Sequence, residues 1–158
     1  RKNIHMDYGI LGSSDLDQAS PLTASLQTDF LLPLIYPVVR DGKIKAKFLQ
    51  KRLDKCAKES GDYVKAFLKM FGDARPYVTM QSCKNQFYSD LITPLPDKIH
   101  VPGTEIHIFY ALKMGAKYRA RYQQHFAHPV LHEQNLQHEE LLACHPVQWA
   151  HLVKSIAL

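Results

Sequence analysis

The sequence predicts an α/β protein in which a small parallel sheet is interrupted by a large helical insertion. Two observations carry that prediction. Three short runs at residues 4–11, 105–112 and 130–136 have the apolar, β-branched and aromatic content of strands. From about residue 18 to residue 100, apolar residues recur instead at helical spacing, between glycine and proline stops. The last third then alternates strand, helix, strand, helix, and crossovers of that kind make parallel sheets with helices on their faces.

The elements follow in order. Ile4-His5-Met6-Asp7-Tyr8-Gly9-Ile10-Leu11 is a strand that runs into the small polar turn Gly12-Ser13-Ser14-Asp15. Thr23 to Leu32 reads as a helix closed by Pro33. A second helix spans Lys43 to Ser60, with Ile44, Phe48, Leu49, Leu53 and Cys56 as its apolar stripe and Gly61 as its stop. Asp62 caps a third, in which Tyr63, Val64, Phe67, Leu68 and Phe71 recur before Gly72. A fourth, Tyr77 to Leu91, places Met80, Cys83, Phe87 and Leu91 on one face. Pro94, Pro96, Pro102 and Gly103 then break the chain. Glu105 to Leu112 is almost wholly apolar, as a strand buried on both faces must be. After Gly115, Tyr118, Tyr122 and Phe126 mark a helix that Pro129 ends. Val130 to Gln134 opens the last strand, and Pro146 opens a closing helix striped by Trp149, Leu152, Val153 and Ile156. The expected organisation is a core strand and turn at residues 1–17, a helical region at 18–100, and core strands and helices at 101–158.

Composition narrows the function classes. A chain of 158 residues, 46% hydrophobic and 22% charged, buries a sizeable core, which argues against disorder. No window approaches the ~18 apolar residues of a membrane span. Three cysteines, Cys56, Cys83 and Cys144, are odd in number and widely spaced, which argues for a reducing, cytoplasmic compartment and against a disulfide scaffold or structural zinc. The net charge of +5 is concentrated between Arg40 and Lys58, where eight basic residues face only Asp41 and Asp54. A solvated helix face explains that run. No RNA- or DNA-binding motif accompanies it, so nucleic acid is not the expected partner. The chain opens on Arg1-Lys2-Asn3 with a strand almost at once, and reads as a segment of a longer polypeptide.

Eight of the nine histidines lie at or beyond His100. His125 and His128 have no further ligand at metal spacing and no HExxH occurs, so no metal and no cofactor is expected. His138 is placed differently. It follows the last short strand, sits in a turn before Glu139-Glu140-Leu141-Leu142, and so projects from the carboxyl edge of the sheet, where open α/β folds bind their ligands. An imidazole there can serve as a general base.

This order of elements, with Leu136-Gln137-His138-Glu139-Glu140-Leu141-Leu142 as its sharpest local signal, resembles the C-terminal half of an α/β-hydrolase. The resemblance implies a partial α/β-hydrolase-like sheet with a large helical cap over residues 18–100, and it implies His138 as the catalytic histidine. The family's nucleophile elbow, G-x-S-x-G, does not occur in these residues, and the nucleophile would come from a segment upstream of Arg1. The turn after the penultimate strand, Lys113-Met114-Gly115-Ala116-Lys117, lacks the usual acid. The acid would then come from the turn after the first strand, with Asp15 first and Asp17 second. The implied reaction is hydrolysis of a small acyl or ester substrate, with Met80, Phe87 and Tyr88 of the cap as pocket candidates and with this chain inactive alone. The alternative is a non-catalytic α/β interaction domain that binds an anionic partner through the basic helix.

Overall fold

The computed structural model describes residues 5–41, 44 and 47–158. It divides into two compact units, one formed by the chain up to Leu16 together with Leu95–Leu158, the other by Asp17–Pro94.

The first unit holds a three-stranded sheet in the order β1 (Tyr8–Leu11), β2 (Glu105–Ala111), β3 (Val130–Gln134), parallel throughout. Leu11 pairs with Ile108, and Ile108 with Leu131, so these three share one face. Helix α6 (Ala116–His125) packs there, and Ile108, Tyr110, Tyr122 and Phe126 form the core. Ile108 is fully buried, worth about 1.5–3 kcal/mol. The opposite face carries Tyr8, Ile10, His107, Phe109 and His132, and Trp149 of α8 (Pro146–Ala157) meets Phe109 edge-on. With a helix to each side of it, β2 is the central strand whose apolar run the sequence announces. A five-residue helix, α7 (Glu140–Cys144), precedes α8.

Helix α6 is entered from Gly115, whose φ of +101° suits a residue without a Cβ. It ends at His125, short of Pro129. Phe126 turns extended and pairs with Ile99 in an isolated parallel bridge, and the Ile99 amide takes the His125 carbonyl. Capture by a second backbone segment, rather than the proline, stops the helix.

The second unit is helical: α1 (Pro21–Phe30), α2 (Leu32–Asp41), α3 (Lys47–Glu59), α4 (Gly61–Ala74) and α5 (Met80–Ile92). Pro33 does not close the chain's helical course as expected. It falls in the first turn of α2, where its missing N–H costs nothing, and Pro37 lies inside the same helix. Ser60, not Asp62, is the residue before α4, and Asp62 sits in its first turn. Tyr63, Phe67 and Phe71 form a ladder of rings along α4, the last pair 4.4 Å apart between centroids. Helix α5 starts three residues later than expected because Thr79 and Ser82 form a reciprocal capping box.

The basic helix needs one correction. Its expected start at Lys43, with Lys45, lies outside the described residues. Within α3, Leu49, Leu53 and Cys56 are half-buried, whereas Phe48 is exposed. Residues i, i+4 and i+7 share one narrow face, and Phe48 lies about 100° away from Leu49 around the axis.

Candidate active site

The turn after β1 is built from small residues and is tied down at three successive carbonyls. Ser13 O accepts from His138 Nδ1 at 2.6 Å, Ser14 O from the Tyr122 hydroxyl, and Asp15 O from Arg121 at 3.0 Å. Ser13 is buried, and its hydroxyl accepts the Glu139 amide at 2.8 Å. One residue thus anchors two neighbours in the second turn through two different oxygens.

The second turn follows β3. The Gln137 amide donates to Glu140 Oε2 at 2.7 Å, and the Glu140 amide returns to Gln137 O at 3.2 Å, which fixes the entry to α7. Glu139 adopts the left-handed conformation, φ +57°. Its carboxylate lies against Gly12, where a Cβ would come within 2.6 Å of Glu139 Oε1. A side chain at position 12 would have to displace the end of the Glu139 side chain. Asp15 and Glu139 both lie near Tyr122, whose hydroxyl is pushed well up, by burial first and then by these two carboxylates.

A carbonyl can only accept, so His138 Nδ1 carries the proton in the neutral ring and Nε2 holds the basic lone pair. The ring is exposed, and Nε2 has no hydrogen-bond partner among the described residues. The nitrogen that a triad acid would hold is occupied here by a backbone carbonyl. Asp15 lies two residues along in the same turn and is exposed, and Asp17, half-buried, opens the helical unit. Sequence reasoning placed His138 and Asp15 in adjoining turns but missed the part of Ser13 and Glu139. The signal was available in Gly12-Ser13, a small pair that admits close approach.

Other histidines have different surroundings. His107 Nδ1 and His132 Nε2 are 2.9 Å apart, their rings stacked, and His107 Nε2 lies 3.3 Å from Glu105 Oε2. His132 is lowered from its ordinary value, by burial first and by His107 second. His125 is buried, with Nδ1 near Pro96 O at 3.2 Å and Asp97 Oδ1 at 3.1 Å, and it ties the loop after the helical unit to α6. Among the described residues no group of three or more His, Cys, Asp or Glu could hold a metal ion, and no helix is long and apolar enough to cross a membrane. Met80, Phe87 and Tyr88 are half-buried on α5. Comparison of the chain with protein-family models, with curated proteins and with solved structures finds no match.

Proposed function

We propose that this chain carries the general-base histidine and the helical cap of an α/β-hydrolase that cleaves a small acyl ester. The single observation that supports the reading is the hydrogen bond from His138 Nδ1 to Ser13 O, which joins the ends of β3 and β1 and leaves Nε2 without a partner among the described residues. In that role Nε2 takes the proton of an attacking hydroxyl and returns it to the leaving alkoxide. The imidazolium formed between these steps keeps its Nδ1–H on the Ser13 carbonyl. The nucleophilic serine belongs to polypeptide other than these 158 residues, which contain no G-x-S-x-G. The chemistry needs no cofactor. A cytoplasmic location accompanies this reading, supported by cysteines that are odd in number and widely spaced in the sequence.

The test is hydrolysis of p-nitrophenyl acetate by the natural gene product that contains this sequence. His138→Ala should lower kcat/KM by about 10³–10⁶-fold, as loss of a triad base does. The 158 residues alone should show no turnover, since a base without a nucleophile forms no acyl-enzyme. Full activity in His138→Ala, or turnover by the 158 residues alone, overturns the proposal.

A second reading, binding of an anionic partner through α3, is favoured by one observation: Lys47, Lys51, Lys55 and Lys58 are exposed and form no ion pair with a described carboxylate. Binding to heparin that weakens steeply with added salt, in a gene product without esterase activity, would select it.

A further inference from the structure

Helix α1 is packed inside out. Within the helical unit it packs on α5 and α2, and the residues it buries are the small Ala24 and Thr28. Its large apolar residues, Leu22, Leu26 and Phe30, are instead 73%, 50% and 69% exposed. At about 100° per residue, the two sets lie on opposite sides of the helix. Leu31 and Leu34 continue the exposed apolar surface into the start of α2. A surface helix ordinarily turns its apolar stripe inward, and a contiguous exposed apolar patch marks a contact surface.

The ridge and its surroundings select the partner. An outward ridge on one helix is convex, whereas small ligands bind in clefts. From Pro21 to Val39 the only charged residue is Asp29, and Lys84 Nζ donates to its Oδ1 at 2.7 Å. A lipid surface is gripped by Lys and Arg beside the apolar face, and that stretch holds neither. A charged partner finds no opposite charge there, but a second copy brings the same uncharged ridge and meets no like-charge repulsion. The lysines that would oppose pairing are on α3, which packs on α4. Leu22, Leu26 and Phe30 recur at i, i+4 and i+8, a spacing symmetric about Leu26. Two ridges of that i±4 kind interdigitate at an interaxial angle of about −50°, the commonest class of helix packing.

We infer that the outward ridge of α1 is a self-association surface, through which two copies of this chain pair about a two-fold axis at Leu26. Each copy covers the other's ridge, and because the contact is isologous it closes at two. A ten-residue helix is about 15 Å long, so the contact is smaller than the roughly 800 Å² per partner of a standard interface. The pair therefore exchanges with the monomer. The surface lies wholly within the helical unit and stands whether or not His138 is a catalytic base.

The experiment is sedimentation velocity on the natural gene product that contains this sequence, from about 5 to about 500 µM, a range that spans weak interfaces. The sedimentation coefficient should rise with concentration from that of one chain toward that of a pair. Leu26→Lys and Leu26→Glu each set like charges against each other at the two-fold axis, so each alone should stay monomeric. An equimolar mixture of the two should pair again, since a two-fold contact at Leu26 brings the ammonium against the carboxylate. Should either variant unfold, Leu22→Lys, at the most exposed end of the ridge, carries the same test and should weaken pairing at least about tenfold. Phe48→Lys, at an exposed apolar residue of α3, should leave pairing unchanged. A gene product that stays monomeric throughout would mean that other polypeptide covers the ridge, and would overturn the inference. So would pairing that survives in Leu26→Lys or Leu22→Lys, a mixture that stays monomeric, or flotation with phosphatidylcholine vesicles that Leu26→Lys abolishes.

Discussion

Ser13 shows how much one small residue organises. Its carbonyl fixes the His138 tautomer, and its hydroxyl satisfies the amide of a Glu139 held in the left-handed region. Ser13→Ala removes only the second bond. It should destabilise the chain by about 1–3 kcal/mol, the cost of an orphaned buried donor, read as a lower urea midpoint. The same division separates the acids from the base. Because the Ser13 carbonyl already holds Nδ1–H, Asp15→Asn should lower ester hydrolysis by the gene product about tenfold at most. Where a carboxylate alone sets the tautomer, the same change costs about 10⁴-fold. A loss of that larger size in Asp15→Asn would make Asp15, not the carbonyl, the orienting group.

The elements most legible in the sequence were those whose pattern is periodic and whose burial decides the answer. Glu105–Ala111 reads as a doubly buried strand because nothing in Ile106-His107-Ile108-Phe109-Tyr110 is sided. The closing helix announces itself through Trp149, Leu152, Val153 and Ile156 at helical spacing, with Pro146 at its start. Boundaries fixed by pairing or capping were not legible: the Ile99–Phe126 bridge that ends α6 and the Thr79–Ser82 box that starts α5 depend on partners rather than periodicity. Phe48 misled because an aromatic residue next to Leu49 reads as stripe, although its face belongs to solvent. Since the α3 lysines at i and i+4 repel one another, Lys51→Glu, which sets a carboxylate between Lys47 and Lys55, should leave the thermal midpoint unchanged or raised. A large loss would mean that this face is covered. The sheet carries a pH dependence of its own. Folded His132 gives up its proton more readily than its ordinary value of 6.5, so below about pH 6.5 the unfolded chain binds more protons. Stability should therefore fall as pH drops below about 6.5 and level off once the folded ring is protonated too. His132→Gln should flatten the urea midpoint over that range.

At the scale of the molecule, topology makes the site. Parallel strands point their carboxyl ends one way, so the turns after β1 and β3 gather at one edge although Ser13 and His138 are 125 residues apart in the chain. The meeting of those turns was legible in the sequence from strand order alone. The atom that receives His138 was not, because a backbone carbonyl leaves no mark in residue type. That bond is where fold and proposed chemistry coincide, and the ring itself reports it. Long-range ¹H–¹⁵N correlation of the neutral His138 imidazole should find the proton on Nδ1 and a bare Nε2. A proton on Nε2 would contradict both the joining of the two turns through Ser13 and the role of His138 as a base.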